Sequence, residues 1–559
     1  MPHGIFSQRP AIHDRSARSS HSRARAPQPE PVGLVNPLEF KLDAKWGGFT
    51  MSTLSGALVR AARLFANNVA AINEHGSLNW PAVLQRVRHV AGALVANGLG
   101  AGSTYAVISA NSHDFAEILF AGLWMGAIPV PINPRFAPPE ITAILQAADV
   151  QLVAGGDLLD DVMDKLPQRF AALPRLALDD HRFGEWPFAY APVTRHEALP
   201  SDVALIYFTS GTQGRPKGVP LSHQQILVNM MQVNLSWPRQ PGAVCLHVAP
   251  MFHSADLLMF SSVIDGAANA YLSGFSPASF RDAVARFGVT DTMLVPSMIG
   301  MLLRGSDGRE AQLASLLRLI YGASSMPTDR IAALMQSLPK LKITQGYGLS
   351  ETAPLLTMLS HSDHVAAVSG KAPQWLQSCG QALTGIELRI VDDNGHELRP
   401  HQHGEVQARG PNVFSGYLHD EEETLGSFDG DWFRTGDLGY QDDTGHLYIL
   451  ERKKNVIKRG GEKILPAEVE NIINDHPAVV ECAVIALPGR AYEDIIVAVL
   501  VTRDNRVLDS GDIRAHCEGR IAKFKIPRRV ICVDELPRNS VGKVTRYVLT
   551  ARYSTQSDD

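Results

Sequence analysis

The sequence predicts an α/β fold, because short apolar segments alternate with amphipathic helical stretches along most of its 559 residues. The apolar segments include residues 105–110, 203–208, 243–250 and 343–348. This alternation is typical of βαβ units, so we expect largely parallel sheets. Beyond about residue 385, closely spaced strands with Gly and Asn turns indicate a more antiparallel, barrel-like segment.

Composition and charge argue against several classes of protein. With 45% hydrophobic and 19% charged residues, the chain is too apolar to be intrinsically disordered, and its length predicts several folded units. A net charge of −5 gives no overall basic field, so we expect no nucleic-acid partner. The apolar stretches end well before the ~20 residues of a transmembrane helix. The five cysteines include no CxxC pair, which argues against a disulfide framework or zinc site and favours a cytoplasmic location.

The two ends of the chain differ from its middle. Residues 1–50 carry five arginines among Ser, His and Pro residues, without a hydrophobic period, which predicts a disordered extension. A transit peptide and a misassigned start codon are the alternatives. Helical spacing of apolar residues begins after Met51, where we expect folded sequence to start. Near the C-terminus, a helical stripe at 466–476 and apolar strands at 479–487 and 495–501 predict a small α/β domain.

The strongest chemical signal is the loop TSGTQGRPKG at residues 209–218, directly after an apolar strand. Its glycines let the backbone approach a ligand, its hydroxyls and N–H groups can meet phosphate oxygens, and Lys217 supplies charge. It is not a Walker A loop, because Pro216 and Gly218 stand where that motif requires Gly and Ser or Thr. The loop predicts a polyphosphate site, and its candidate residues are Thr209, Ser210, Gly211, Thr212, Gln213, Gly214 and Lys217. Ser222 and Gln225 then predict a capping box at the start of the next helix.

This string resembles the phosphate loop YTSGTTGxPKG of the adenylate-forming superfamily, which includes acyl-CoA synthetases, stand-alone aryl-acid adenylating enzymes and beetle luciferases. Gln213 replaces the family's second Thr, although its amide can still donate to phosphate. The resemblance covers roughly residues 55–548. It implies a large N-terminal domain (51–453) of two packed α/β sheets plus a distorted β-barrel, and a small mobile α+β C-terminal domain (454–559).

Further segments resemble the family's ATP site. In QGYGLSET at 345–352, the resemblance implies that Tyr347 stacks on adenine, Glu351 holds Mg²⁺ and Thr352 meets phosphate. The TGD segment implies that Asp437 accepts hydrogen bonds from both ribose hydroxyls, and Arg452 corresponds to an arginine that reaches the ribose. The nucleotide contacts implied in these segments, and in the small-residue segment YGASS at 321–325, are Gly322, Ala323, Ser324, Gln345, Gly346, Tyr347, Gly348, Ser350, Thr352, Asp437 and Arg452.

The resemblance also implies residues for catalysis and for domain movement. Lys543, in PRNSVGK at 537–543, is expected to stabilise the charge that develops when a carboxylate attacks the α-phosphate of ATP. Lys454 corresponds to the hinge between the two domains, and Gly461 to a glycine-rich loop that approaches the pantetheine arm. Around the hinge, Glu451 and Asn455 depart from the Gly and Asp that are common in the family.

The reaction implied by the resemblance is that of an ATP-dependent carboxylic acid:CoA ligase. The acid and ATP give acyl-AMP and pyrophosphate, and the thiol of coenzyme A then gives acyl-CoA and AMP. The expected cofactors and co-substrates are ATP, Mg²⁺ and CoA. The stretch PSMIGML at 296–302, together with His253 and Gly322, suggests an apolar pocket and favours a fatty or aromatic acid.

Three alternatives remain open from the sequence. A separate carrier protein could accept the acyl group, because the GGEKI string at 460–464 also occurs in stand-alone adenylating enzymes. We expect free CoA instead, since the 16 residues after Lys543 are too few for a fused carrier domain. A luciferase-like oxygenase and a catalytically silent nucleotide-binding module share the same motifs. The oligomeric state is open as well, with a dimer as one expectation.

Overall fold

The computed structural model describes residues 52–178, 183–210, 216–304, 310–324, 326–459, 462–488, 494–538 and 544–554. The extension predicted at residues 1–50 lies outside this range. So do six residues of the predicted site, Gly211, Thr212, Gln213, Gly214, Gly461 and Lys543. For Ser210 and Lys454 the backbone is described and the side chain is not.

Several helices begin where a polar side chain satisfies a free backbone N–H group. Ser112 accepts a hydrogen bond from the N–H of Phe115, and Ser222 forms the predicted capping box with Gln225. The helices are α1 (Leu54–Leu64), α2 (Trp80–Ala96), α3 (His113–Met125), α4 (Pro138–Ala147), α5 (Leu159–Met163), α6 (Gln168–Ala171), α7 (His223–Ser236), α8 (Ser262–Asp265), α9 (Pro277–Phe287), α10 (Pro296–Arg304), α11 (Thr328–Ser337), α12 (His361–Val368), α13 (Glu421–Gly426), α14 (Pro466–Asn474), α15 (Ser510–Cys517) and α16 (Arg546–Tyr553).

Strands form at each of the predicted apolar segments, and further strands lie elsewhere in the chain. They are β1 (Val69–Asn73), β2 (Gly76–Asn79), β3 (Thr104–Ile108), β4 (Ile128–Pro131), β5 (Leu152–Gly155), β6 (Arg175–Ala177), β7 (Val203–Ser210), β8 (Pro216–Ser222), β9 (Val244–His247), β10 (Ala268–Tyr271), β11 (Asp291–Leu294), β12 (Arg318–Gly322), β13 (Lys342–Tyr347), β14 (Thr357–Leu359), β15 (Gln381–Ala382), β16 (Glu387–Val391), β17 (Gly404–Arg409), β18 (Phe428–Asp429), β19 (Trp432–Gln441), β20 (Leu447–Arg452), β21 (Ile457–Arg459), β22 (Glu462–Ile464), β23 (Val479–Pro488), β24 (Asp494–Thr502) and β25 (Arg529–Cys532).

Two sheets of the large N-terminal part are built mainly from parallel strands, as the sequence predicts. The larger one has the order β15-β14-β13-β12-β11-β9-β10-β1-β2, and all pairs from β1 to β13 in this order are parallel. The second is a parallel sheet of order β4-β3-β5-β6. Every residue of α3 is buried, which fits a helix enclosed on all sides. One hydrophobic core joins Ala71 of β1, Leu119 of α3 and Val107 of β3, so the two sheets pack together.

The strand β7 departs from the expected βαβ pattern. It pairs antiparallel with β8, with Thr209 opposite Lys217. The physical reason is the short connection of residues 211–215, which is too short for the crossover that a parallel pair requires. Both sides of the predicted phosphate loop therefore lie on one hairpin.

The segment after residue 385 forms an antiparallel sheet, as predicted. Its order is β16-β17-β19-β18, with β20 also paired to β19. In this sheet Asp437 of β19 lies directly opposite Arg452 of β20. Two residues that are 15 positions apart in the sequence thus meet at one point.

The C-terminal part is a smaller α+β unit with its own core. Its sheet has the order β23-β24-β25, with β23 and β24 antiparallel and β24 and β25 parallel. Two hydrophobic clusters cover the two faces of this sheet, and their members come from residues 457–553 alone. Within the described residues, no helix is long and apolar enough to cross a membrane.

Candidate active site

The ends of β12 and β13 form one wall of the candidate site. A Cβ on Gly322 would lie 2.4 Å from the carbonyl oxygen of Gly346, so only glycine allows these strands to approach so closely. Ala323 follows with a φ of +66°, which turns the chain sharply after β12. Ser324 beside it is exposed. A Cβ on Gly348 would lie 2.0 Å from the carbonyl oxygen of Pro354, so the turn after β13 is equally tight.

Tyr347, Asp437 and Arg452 meet in the structure. The phenol of Tyr347 donates a hydrogen bond of 2.6 Å to Oδ2 of Asp437, and Nε of Arg452 lies 2.7 Å from Oδ1. Nη1 of Arg452 also donates to the carbonyl oxygen of Thr435, at 3.1 Å. Burial, and then the Asp437 carboxylate, raise the pKa of Tyr347 well above its ordinary value. A carboxylate offers about four lone-pair sites, so Asp437 can accept from several donors at once, as two ribose hydroxyls would require.

Gln345, another predicted nucleotide contact, is buried and points towards the protein interior. Its Oε1 lies 3.2 Å from the phenol of Tyr321, and the same phenol lies 2.8 Å from Nε2 of His364. Nδ1 of His364 is 2.7 Å from the carbonyl oxygen of Ser360, so this nitrogen carries the proton and Nε2 accepts from Tyr321. Burial lowers the pKa of His364 to about 4, which keeps the ring neutral at pH 7. This network supports the ends of β12 and β13 from behind.

Glu351 and Thr352 lie in a short 3-10 turn that follows Tyr347 by a few residues. Glu351 is 8% exposed, and its Oε1 accepts a hydrogen bond of 3.0 Å from the phenol of Tyr417. Thr352 is fully buried, with its hydroxyl 2.9 Å from the carbonyl oxygen of Pro354 and 3.0 Å from the backbone N of Leu349. In this arrangement the hydroxyl of Thr352 holds the turn together. Its predicted contact with phosphate would require it to leave these partners.

Lys217 lies at the end of the β7–β8 hairpin, where the phosphate loop closes. Its ammonium group forms an ion pair with the carboxylate of Glu423 and lies 5.2 Å from the ring centroid of Tyr417. Burial, and then the neighbouring carboxylate of Glu351, raise the pKa of Tyr417 above its ordinary value. Lys217 and Glu351, which the sequence predicts separately, are thus connected through one tyrosine.

Tyr417 and Glu423 were not predicted from the sequence. Tyr417 precedes the acidic run Asp420–Glu423, which reads as the solvated start of a short helix. An aromatic residue followed by acidic residues is not a sequence pattern that identifies a nucleotide site. One signal could have identified this segment. It follows strand β17 and leads the chain back to the β7–β8 hairpin.

The remaining predicted residues lie at the edges of this region. His253 is half-buried at the start of a 3-10 helix, and its ring contacts Phe252 with centroids 4.9 Å apart. Lys454 lies in a 3-10 turn directly after β20. On one side of this turn, Nδ2 of Asn455 donates to Oε1 of Glu451, at 2.9 Å.

An apolar cavity lies against α10 and includes Ile299 and Leu302 of the stretch predicted to form the acid pocket. It has a volume of about 30 Å³ and is lined by Phe280, Ile299, Leu302, Leu303 and Leu338, among other residues of α9, α10 and α11. Sites for organic ligands usually have several hundred Å³. This cavity is therefore too small to hold the acid. Among the residues that the structure describes, no group of three or more His, Cys, Asp and Glu side chains forms a metal cluster.

Comparison with known protein families shows which family this chain belongs to. The family model described as AMP-binding enzyme matches residues 58–418, and the model described as AMP-binding enzyme C-terminal domain matches residues 468–543. The chain belongs to the AMP-binding enzyme family. All the described site residues before position 418 lie in the first match, and Lys543 is the last residue of the second.

Curated members of the AMP-binding enzyme family are similar along most of the chain. Indoleacetate–CoA ligase of Aromatoleum aromaticum is 32% identical over 480 residues, which cover 84% of this chain and 92% of that protein. Feruloyl-CoA synthase of Amycolatopsis is 30% identical, covering 89% and 98%. Long-chain-fatty-acid–CoA ligase of Thermus thermophilus is 30% identical, covering 89% and 94%.

Solved structures of AMP-binding enzymes support the fold. ATP-bound MatB from Rhodopseudomonas palustris has a TM-score of 0.81 and 27% identity, and the match covers 90% of this chain and 99% of that one. o-Succinylbenzoate CoA synthetase (MenE) from Bacillus subtilis, in complex with its acyl-adenylate intermediate, has a TM-score of 0.77 and 26% identity, with 88% and 97% covered. The predicted fold class, an α/β protein with a large N-terminal and a smaller C-terminal domain, is confirmed.

Proposed function

We propose that this chain, an AMP-forming acid–CoA ligase, converts an apolar aromatic or fatty acid into its CoA thioester. The family models and the relatives named as CoA ligases support a ligase of this type. The observation that carries the proposal is the contact of Tyr347 with Asp437 beside Arg452. It joins an aromatic face suited to adenine and a carboxylate suited to a ribose diol in one site.

In the first step, a carboxylate oxygen of the acid attacks the α-phosphorus of ATP, and pyrophosphate leaves. Tyr347 would hold the adenine and Asp437 the ribose, while Lys217 and the loop at 209–214 would bind the phosphates. Lys543 would stabilise the negative charge that gathers between carboxylate and phosphate. The product of this step is the mixed anhydride acyl-AMP.

Glu351 is the residue that would hold Mg²⁺. A carboxylate is the hard oxygen donor that this ion prefers. Tyr417 uses one lone pair of Oε1, so the carboxylate of Glu351 keeps acceptor capacity for an ion. When bound, the ion supplies positive charge to the phosphate oxygens.

In the second step, the sulfur of CoA attacks the acyl carbon, the bond to the phosphate oxygen of AMP breaks, and the thiol proton is lost to solvent. We infer a division of the chain into residues 51–453 and 454–559, with Lys454 as the hinge. Rotation about this hinge would withdraw Lys543 and bring the loop with Gly461 towards the pantetheine arm.

The acid is proposed to have a large apolar part. Relatives are named for indoleacetate, ferulate and long-chain fatty acids, all of which carry one. The helix α10 contributes Met298 and Met301, of which Met301 is 41% exposed, and these apolar side chains suit such a substrate. His253 and Gly322 would shape the pocket beside them.

Pyrophosphate release from a panel of acids, measured with ATP and Mg²⁺ and with or without CoA, tests this proposal. We expect release with indoleacetate, cinnamate-type or long-chain acids, together with the matching acyl-CoA when CoA is present. Lys543→Ala should lose pyrophosphate release while still binding ATP. Activity confined to short dicarboxylates would contradict the proposed substrate class.

A carrier protein is the second candidate acceptor. Fatty acid–[acyl-carrier-protein] ligase ScoC of Streptomyces coeruleorubidus is 29% identical over 495 residues, covering 87% of this chain and 93% of that protein. An assay with CoA as the only thiol separates the candidates. Pyrophosphate release without an acyl-CoA product would favour the carrier protein.

We also propose a cytoplasmic location for this enzyme. All five cysteines are free, and four of them are buried thiols. A reducing compartment would keep them in this state. Cell fractionation with an antibody against the chain would test the location.

A further inference from the structure

The pairing of Lys217 with Glu423 bears directly on how ATP would bind. Lys217 is the positive side chain at the end of the phosphate loop, and the carboxylate of Glu423 already occupies its ammonium group. The side chain of Lys217 is 17% exposed and that of Glu423 is 40% exposed. The ammonium group of Lys217 is therefore more shielded from solvent than the carboxylate of Glu423.

Several hydrogen bonds fix the position of Glu423, so its ion pair with Lys217 is not a contact between two mobile surface side chains. The N–H of Leu418 donates to the carbonyl oxygen of Gly218, at 2.9 Å, which ties the segment before α13 to the residue after Lys217. Oδ1 of Asp420 accepts from the N–H of Glu423, at 3.0 Å, and caps the helix. Thr424 donates from its hydroxyl to the carbonyl oxygen of Asp420, at 2.7 Å.

The ring of Tyr417 completes the setting of the lysine. Its centroid lies 5.2 Å from Nζ of Lys217, which is within the range of a cation–π contact. Its phenol donates to Glu351. The ammonium of Lys217 is thus held between one carboxylate and one aromatic face, and a triphosphate would compete for the same positive charge.

We propose that Glu423 acts as a built-in competitor of the ATP phosphates for Lys217 and so sets the affinity of the free enzyme for ATP. This inference rests on the proposed function, because it requires ATP at the phosphate loop. In the free enzyme Glu423 neutralises Lys217. When ATP binds, its phosphate oxygens replace the carboxylate, and Glu423 turns into solvent, where its 40% exposure already allows it to be hydrated.

The size of the effect follows from the exposure of the pair. Partly exposed ion pairs contribute about 0.2–1 kcal/mol, and this range converts to about a 1.4- to 5-fold change in an equilibrium constant. Removing the competitor should therefore tighten ATP binding by about 1.4- to 5-fold. Adenosine carries no phosphate, so its binding should not change.

Equilibrium binding of ATP and of adenosine to the full chain, measured by calorimetry, tests this proposal. The variants are Glu423→Gln and, as a matched control, Glu422→Gln, which removes the same charge from an exposed neighbour on the same helix. We expect tighter ATP binding for E423Q alone, with adenosine binding equal in all three proteins. In a Lys217→Met background, E423Q should no longer change ATP binding, because the charge under competition is gone.

Weaker or unchanged ATP binding by E423Q would overturn the inference and assign Glu423 to holding Lys217 in place. An equal gain in E422Q would also overturn it, since the cause would then be net charge. These failures differ from failure of the proposed function, in which the wild-type chain itself would not bind ATP. A merely structural role of Glu423 would lower the melting temperature without tightening ATP binding.

Discussion

The phenol of Tyr347 donates a hydrogen bond of 2.6 Å to Oδ2 of Asp437, a residue 90 positions later in the chain. Tyr347 ends β13 of the large parallel sheet, and Asp437 belongs to β19 of the antiparallel sheet. This contact joins two sheets at the candidate nucleotide site. The ring of Tyr347 and the carboxylate of Asp437, which we propose to bind adenine and ribose, therefore position each other, and Arg452 contacts the second carboxylate oxygen.

Tyr347→Phe is expected to raise the KM for ATP about tenfold. The ring remains, but Asp437 loses a donor, and a hydrogen bond to a charged group contributes about 1.5–3 kcal/mol. Tyr347→Ala should raise the KM further, because it also removes the stacking surface. Tyr448→Phe is the matched control, since it removes a similar bond of 3.1 Å to Asp442 elsewhere on β20. Steady-state kinetics at saturating acid would measure all three, and an equal effect of Y448F would contradict the assignment.

Gly322→Ala is expected to damage the site without unfolding the rest of the chain. The added Cβ would lie 2.4 Å from the backbone oxygen of Gly346 and would push β12 and β13 apart. Overpacking of this kind costs about 1–3 kcal/mol. Gly274→Ala is the control, because a Cβ there meets nothing within 4 Å. We expect a lower melting temperature and weaker ATP binding in G322A but not in G274A. A G322A protein with normal ATP affinity would show that the close approach of β12 and β13 is not needed for ATP binding.

Arg546→Met is expected to destabilise the C-terminal part by about 3–5 kcal/mol, since the carboxylate of Glu470, only 12% exposed, keeps the N–H of Val484 but loses its cationic partner. Nη2 of Arg546 donates to both oxygens of Glu470, at 2.8 and 2.9 Å, and lies 3.6 Å from Glu451 across the proposed domain boundary. Burial is the main cause that raises the pKa of Glu470, and Arg546 opposes it.

A control and a rescue make the Arg546 prediction specific. Arg538→Met breaks a more exposed pair with Glu481 and should cost less than about 1 kcal/mol. Adding Glu470→Gln to Arg546→Met should restore part of the loss, because the buried charge is then removed. Urea unfolding would measure these differences. Equal effects of R538M and R546M would show that the buried pair has no special role.

The buried histidine behind the site predicts a loss of stability in acid. His364 has its pKa lowered to about 4, mainly by burial, whereas an unfolded histidine titrates near 6.5. Between these values the unfolded chain binds the proton and the folded chain does not, so stability falls as the pH decreases from about 6.5 to 4. Between pH 6.5 and 5 this residue should contribute a loss of about 1.6 kcal/mol, because the slope rises towards about 1.4 kcal/mol per pH unit as the unfolded histidine becomes protonated.

His364→Gln provides the test of that pH dependence. The variant should be less stable at pH 7.5, because Tyr321 loses the shorter of its two side-chain contacts, but its stability should fall less steeply with acid. Urea unfolding at several pH values would show the difference in slope. A slope identical to that of the wild type would mean that other groups, such as His223 and His247, carry the acid sensitivity.

The sequence allowed part of this site to be predicted. The alternation of apolar segments with helical stretches was sufficient to predict the parallel sheets. The resemblance of motifs identified Tyr347, Asp437 and Arg452, which the structure brings together. Resemblance could not show that Tyr347 binds Asp437 directly, because that contact depends on how two sheets approach each other. It also could not show that the hydroxyl of Thr352 is engaged by its own turn.

Other features lay beyond sequence reasoning for a physical reason. The antiparallel pairing of β7 depends on a five-residue connection, and apolar content alone does not distinguish it from a βαβ strand. The partners of Lys217 come from a segment some 200 residues away, and an acidic run reads as a solvated surface from sequence. Long-range ion pairs leave no local pattern, so only the fold reveals them.

We expect this chain to form acyl-AMP before it forms acyl-CoA. The most direct measurement uses an acid such as indoleacetate with ¹⁸O in its carboxylate, together with ATP, Mg²⁺, CoA and the full chain. The carboxylate oxygen that attacks phosphorus stays with the phosphate when CoA displaces it, so we predict AMP that carries one ¹⁸O for each acyl-CoA formed. Mass spectrometry that finds the label in inorganic phosphate, or unlabelled AMP beside acyl-CoA, would contradict the account.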